Sequence, residues 1–451
     1  MNGAANLPAF GRVSHSTDFR PMTRGWGKSM GNDVIEAAKR LLSELDNIIE
    51  DKGERGALAA KIEQAIALAE SESTDGPRPN LLKLIELLRS DARLRTWMES
   101  SVNAATPTTR YAPPVAKSDT QEKDLADYSV WYCTNRQPND PANIGMGFSA
   151  RRDTTRRYGE CRVFVPKSHK IGSVGSPWWK RVLTLTDDRL RILEINNLEQ
   201  LAYWNIAAAR LARESASDQI AVVYIHGYRN SFEDATLRAA QIGFDLSIKG
   251  MMTFFSWPSL GSLEGYTADE AAIDASETAI GEYLLEVLDR SGAKTVHIVA
   301  HSMGNRGILR AIDRIARRTQ GFTGRQFGQI ILAAPDVDAD VFRQLCSAYA
   351  QAGIRTTLYV SERDRAIEAS QWLHQYARAG LMPPLMVCAD IDTVNVTNSD
   401  LTMLGHGYIA QARDVLNDVH SLIFNNSAPS HRFGLKEVMT SDGERYWLIG
   451  S

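Results

Sequence analysis

From residue 219 onward the chain alternates two patterns that together leave few folds open. Nearly continuous apolar runs, "QIAVVYIHG", "GMMTFFSWP", "KTVHIVAHS", "FGQIILAAPD", "IRTTLYVSERD" and "DIDTVNVTNS", are separated by helical patterns: "SFEDATLRAAQIGFDLS", "TADEAAIDASETAIGEYLLEVLDRSG", "NRGILRAIDRIARR" and "ADVFRQLCSAYAQAG". A strand that is apolar along its whole length has both faces buried, and strands separated by helices pair in parallel through crossover connections. The alternation therefore predicts an α/β fold with a mainly parallel sheet covered by helices on both faces. Ahead of it, "YSVWYC", "CRVFVP", "RVLTLT" and "RILEIN" read as strands between polar turns, an antiparallel meander at the sheet's edge. At the far end, Asp442-Gly443 between two alternating runs signals a hairpin.

Composition divides the rest. Residues 1–33 mix Gly, Pro, Ser and Arg without periodicity and read as a flexible leader. In residues 34–100, Val34, Ile35, Leu41, Leu42, Leu45 and Ile48 recur at three- and four-residue steps, which predicts a helical module with a break near Gly53. Residues 101–126 are a linker, 127–426 the α/β domain, and 427–451 a hairpin extension. The 51 basic and 54 acidic residues leave a net charge of -3, so no global field recruits nucleic acid. No apolar window reaches a membrane span's length and the N-terminus has no secretory pattern, so a cytoplasmic protein is expected. Cys133, Cys161, Cys346 and Cys388 form no C-x-x-C pair, which suggests separate buried thiols rather than a zinc knuckle or dithiol site. No metal and no cofactor is expected.

In parallel sheets, reactive groups gather at the carboxyl ends of the strands. In "VAHSMGN", Ser302 stands at a strand-to-helix junction with Ala300 and Gly304 two positions to either side, the small neighbours a nucleophile elbow needs; alanine in place of the usual first glycine is a departure. Taken alone, the serine could simply be a helix N-cap, since serine is favoured there. In "VVYIHGYRNSF", His226-Gly227 turns the chain so that the Tyr228 N–H can join the Met303 N–H as an oxyanion hole, with His226 read as structural. His406, between two glycines in "DLTMLGHGYI", is the candidate base. Asp364 in "LYVSERDRAIEAS" is the candidate acid, giving the order Ser, Asp, His; Asp336 and Asp338 in "AAPDVDADVF" are the alternatives. Trp257 reads as core.

These segments, with "FSWPSLGSLEGYTADEA" and "GHGYI", resemble the bacterial α/β-hydrolase family of uncharacterised function known as DUF900 over about residues 128–426. The resemblance implies an α/β-hydrolase fold with Ser302 as nucleophile, Asp364 as acid and His406 as base, and names no substrate. The resulting expectation is a serine hydrolase acting on a small-molecule acyl substrate, most readily a carboxylester. The rival is a non-catalytic scaffold whose residues 34–100 engage a second copy or a protein partner through leftover apolar surface.

Overall fold

The apolar runs pair into one sheet. A computed structural model describes residues 126–167, 169, 171–174, 190–260, 265–318, 326–362, 367, 370–371, 374–396 and 409–449, and in the N-terminal region 49, 51–71 and the helical positions 35, 38–39, 41–42, 45, 80, 83–84 and 87. The leader, the linker up to residue 125, the run "RVLTLT", Asp364 and His406 lie outside the described residues. The chain divides into two compact units, residues 1–108 and 109–451.

In the first unit, helix α1 (Lys52–Glu70) buries Ile62, Ile66 and Ala69 in a cluster that also holds Ile35, Leu41, Leu45, Ile49 and Leu84. The helix begins just before the expected break at Gly53, because Asp51 caps it: its carboxylate accepts the Glu54 N–H at 2.7 Å.

The second unit opens with β1 (Ala126–Pro138), β2 (Phe148–Val165) and β3 (Arg191–Leu198), paired antiparallel in succession. Then follow α2 (Gln200–Leu211), β4 (Ile220–Ile225), α3 (Phe232–Asp245), β5 (Met251–Ser256), α4 (Tyr266–Arg290), β6 (Thr295–His301) and α5 (Gly304–Arg318). The chain continues through β7 (Phe327–Ala333), α6 (Ala339–Leu345), α7 (Ser347–Ala352), β8 (Gly353–Val360), β9 (Ile391–Asn395), α8 (Ile409–Asn425), β10 (Leu435–Met439) and β11 (Arg445–Ile449). The eleven strands lie in the order β10-β11-β9-β8-β7-β6-β4-β5-β1-β2-β3. Strands β4 to β9 are parallel throughout, and β1 joins them by pairing parallel with β5. This is the α/β-hydrolase arrangement, a mainly parallel sheet between helices.

Side chains alternate between two cores, as the two-residue period of a strand demands. Ala221, Val223, Ile225, Ile298 and Ala300 face a cluster shared with α2, α4, α5 and α7; Val222, Tyr224, Val299 and Ile331 face one shared with α3 and α8. Each fully buried aliphatic or aromatic side chain contributes roughly 1.5–3 kcal/mol. Helix α2, in "QLAYWNIAAARL", buries Tyr203, Trp204, Ala207 and Leu211 against the first core.

The terminal hairpin is continuous with this sheet. Its strand β11 pairs parallel with β9 through Trp447 and Leu448, and β10 closes the edge. The turn places Gly443 at φ +81°, a conformation glycine adopts without steric cost. Behind it, Arg432 makes a two-pronged ion pair with Asp418 of α8; both side chains are fully buried. Tyr359 of β8 donates its hydroxyl to the same carboxylate at 2.6 Å.

Candidate active site

Strand β6 ends at His301 and α5 starts at Gly304, leaving Ser302 and Met303 to make the whole turn. So short a connection forces Ser302 to φ +48°, in the left-handed region. For a residue with a Cβ this costs of order 1–3 kcal/mol and persists only where the surroundings over-determine it. They do so here. The Ser302 N–H donates to the Ala333 carbonyl at 3.0 Å, and the Ser302 carbonyl accepts from the Asn305 N–H at 3.1 Å, the Asn305 side-chain amide at 3.0 Å and the Asp336 N–H at 3.2 Å. A helix N-cap has extended backbone angles and immediately precedes its helix, so Ser302 is not an ordinary cap. Ser302 is half-buried.

The small neighbours have distinct reasons. A Cβ on Gly304 would lie 2.5 Å from the His226 carbonyl oxygen and 2.8 Å from that of Ile225, since α5 starts directly over the end of β4. A Cβ on Gly227 would stand 2.9 Å from both the Ser302 Cβ and the His301 Nδ1. Glycine at 227 thus lets the loop that carries Tyr228 close on the serine.

That loop is held by buried polar groups that sequence reasoning missed. Arg136, at the end of β1 and 1% exposed, donates to the Asn230 carbonyl at 2.8 Å, the Ser259 carbonyl at 3.0 Å and the Ser256 hydroxyl at 2.8 Å. Asn230 in turn donates its side-chain amide to the Tyr228 carbonyl at 2.8 Å. Asp269, on the first turn of α4, accepts from the Leu260 N–H at 2.7 Å, the Ser259 hydroxyl at 2.5 Å and the Arg229 N–H at 3.2 Å. On the loop's far side, Ser231 and Asp234 form a reciprocal cap on α3. These partners lie up to 123 positions apart in the chain, so no local motif announces them.

His226 is fully buried, stacked on Trp257 with ring centroids 4.9 Å apart, and its carbonyl accepts the Trp257 indole N–H at 2.8 Å. Burial, reinforced by the Arg136 charge, pushes its pKa down to about 3, so the ring is neutral. Burial and the Arg238 charge do the same to His301.

Asp336 follows β7 and is 4% exposed. Its carboxylate accepts the Tyr266 and Ser370 hydroxyls, each at 2.6 Å, and faces the Arg378 Nε at 3.6 Å. Burial, then the Asp336 charge, raises the Tyr266 phenol. The Tyr266 ring packs against Tyr228 and His374, and His374 meets Glu270 at 3.0 Å. Asp338 is spent as the cap of α6, accepting the Asp340 and Val341 N–H groups at 3.0 and 3.1 Å. Of the expected residues, the structure brings together Ser302, Met303, Tyr228 and Asp336. Among the described residues, no group of three or more His, Cys, Asp or Glu side chains could hold a metal ion, and no helix is long and apolar enough to cross a membrane.

A family model described as alpha/beta hydrolase of unknown function, DUF900, matches residues 206–424. Over that span the chain matches the DUF900 family model. The DUF900 match begins within α2, so the β1–β3 meander and the terminal hairpin lie outside it, and it is narrower than the resemblance read from the motifs. Among solved structures, an esterase of Pyrobaculum calidifontis is 12% identical, with a TM-score of 0.30, covering 77% of this chain and 98% of that one. ESTFA in its iron-lacking apo form is 12% identical with a TM-score of 0.29, covering 76% and 97%; wild-type AbyA5 is 13% identical with a TM-score of 0.28, covering 89% and 86%. Likeness at that level carries no inference about chemistry. No curated protein matches the chain.

Proposed function

We propose that the protein is a serine hydrolase that cleaves an acyl bond, an ester most readily and a thioester or amide by the same route, through an acyl-enzyme on Ser302. His406 takes the Ser302 proton as the hydroxyl attacks the carbonyl carbon and returns it to the leaving group, and water then repeats the sequence in reverse. Asp364 orients His406, and the N–H groups of Tyr228 and Met303 bind the developing oxyanion. The observation that carries this reading is the left-handed Ser302 at the β6–α5 turn, a strained conformation of the kind that clusters at active sites.

Topology supports the partners. Strands β6, β8 and β9 run parallel, so the chain leaves β8 just before Asp364 and β9 before His406 at the edge where Ser302 stands. The described histidines nearby are less suited to the role: burial holds His226 and His301 down to about 3, which makes them weak bases, and His374 is held by Glu270. Asp336 already serves two hydroxyls, which favours Asp364 as the acid.

An alkyl fluorophosphonate probe tests the reading. The wild type should be labelled and Ser302→Ala should not; failure to label the folded wild type, or equal labelling of both, overturns it. With an ester substrate, Asp364→Asn should lower kcat by several powers of ten, by analogy with the ~10⁴-fold loss in a serine protease triad. A larger defect in folded Asp336→Asn would transfer the acid's role there.

A further inference from the structure

Residues 377–380 form a short strap against the loop that follows β7. Ala339 donates its N–H to the Ala377 carbonyl, Ala379 to the Val337 carbonyl and Gly380 to the Pro335 carbonyl, each at 2.9 Å. A Cβ on Gly380 would stand 2.6 Å from the Ala334 carbonyl carbon and the Pro335 nitrogen, so the two backbones are in close approach. This pairing sets Arg378 opposite Asp338 and brings its guanidinium to Asp336. Arg378 is 3% exposed, yet its donors are poorly met. Its Nε lies 3.6 Å from the Asp336 carboxylate, beyond hydrogen-bond length, and among the described residues neither Nε nor Nη2 has an acceptor. Asp336 is turned to other donors: its two oxygens accept the Ser370 and Tyr266 hydroxyls, each at 2.6 Å.

A buried guanidinium with unbonded N–H groups is costly, so its presence calls for an acceptor brought from outside. A carboxylate matches best, because it takes two parallel bonds from the planar fork and cancels the charge, which water does not. The place is beside the Ser302 turn. The Asp336 N–H donates to the Ser302 carbonyl at 3.2 Å, and the Tyr266 ring packs on Tyr228 with centroids 5.1 Å apart. We infer that Arg378 determines specificity by binding a carboxylate at the far end of the acyl group, so that the substrates are half-esters of dicarboxylic acids. The reaction rests on the reading of Ser302 as nucleophile; the carboxylate site does not. Because the acyl group stays on the enzyme through both steps, a carboxylate there is held through both, whereas one on the leaving group departs after the first. Arg378 stays protonated throughout and exchanges no atom with the substrate.

The test has two arms. In the first, the full-length protein is given the monomethyl esters of succinic, glutaric and adipic acids beside the methyl esters of n-alkanoic acids of matching length. For the best-fitting pair kcat/KM should favour the charged ester by roughly 10–100-fold, the worth of hydrogen bonds between charged groups. Arg378→Gln should bring that ratio toward one, and Arg378→Lys, which keeps the charge without the fork, should fall between. In the second arm, calorimetry with Ser302→Ala should show the matching dicarboxylate binding about tenfold or more tighter than the monocarboxylate, a difference lost when Arg378→Gln is added. Equal kcat/KM for charged and neutral esters, or dicarboxylates that bind no tighter than monocarboxylates, would overturn the assignment. Binding through Arg378 without hydrolysis of any ester would instead remove the hydrolase reading and leave the carboxylate site standing. If Arg378→Gln does not fold, the wild-type ratio and Arg378→Lys decide the matter.

Discussion

The pair Arg432–Asp418 offers the sharpest test of how the C-terminal hairpin is joined to the sheet. Both side chains are fully buried, the guanidinium meets both carboxylate oxygens, and Asp392, itself paired with Arg355, lies 3.9 Å from Arg432. Arg432→Met would leave the Asp418 carboxylate with the Tyr359 hydroxyl as its remaining partner, and Asp418→Leu would leave a buried guanidinium with the Thr357 and Tyr359 hydroxyl oxygens at 3.4 Å. Removing one member of a buried pair typically costs about 3–5 kcal/mol, because the other charge stays desolvated. Replacing both with apolar groups removes that penalty, so the double variant should be no less stable than either single one, a coupling of at least about 3 kcal/mol. Urea titrations followed by tryptophan fluorescence, with the four proteins compared at equal m-values, would measure the cycle. Single substitutions costing under about 1 kcal/mol, or costs that simply add, would refute the claim that this desolvated pair holds α8 and the hairpin to β8.

Two further outcomes follow from the same coordinates. Gly304→Ala puts a methyl group against the backbone carbonyls of His226 and Ile225, which have no rotamer to yield, and should lower stability by about 1–3 kcal/mol; an unchanged urea midpoint would show that α5 does not pass β4 so closely. His226 and His297, both at most 2% exposed, are held neutral with pKa values of about 3 and about 4, below the ~6.5 of an unfolded chain. Their contribution is present above pH ~6.5 and is lost as pH falls toward 4, at a slope approaching ~2.7 kcal/mol per pH unit for two protons. His297→Gln should halve that part of the slope near pH 5, and an unchanged slope would contradict it.

The strand pattern was legible because burial on both faces leaves an apolar run in the sequence, and the sharp turn at Ser302 was legible because tight backbone approach demands small residues at fixed offsets around it. Helix α2 was harder to read: Tyr203, Trp204, Ala207 and Leu211 carry its core face, but it directly follows β3 and lacks a side-chain cap bond at Glu199. The long β2 was read only at its end, since residues 149–157 carry exposed charge rather than an apolar run. Tyr266 and Ser370 gave no sign that they would converge on Asp336, because the three belong to separate elements whose meeting is a property of the fold.

Arg136 shows how far the candidate site extends beyond the matched segment. It lies on β1, outside residues 206–424, yet its guanidinium ties the Tyr228 loop, through the Asn230 carbonyl, to the end of β5, through Ser256 and Ser259. Burial pushes its pKa down to about 10, and it still carries its charge at neutral pH. Without it, those acceptors would be left inside the protein without their donor, each at a cost of about 1–3 kcal/mol. The loop positioned by Gly227 would then lose its anchor on the side away from Ser302. The β1–β3 meander is therefore not a detachable edge: through one buried arginine it belongs to the framework that holds the loop after β4 against the Ser302 turn.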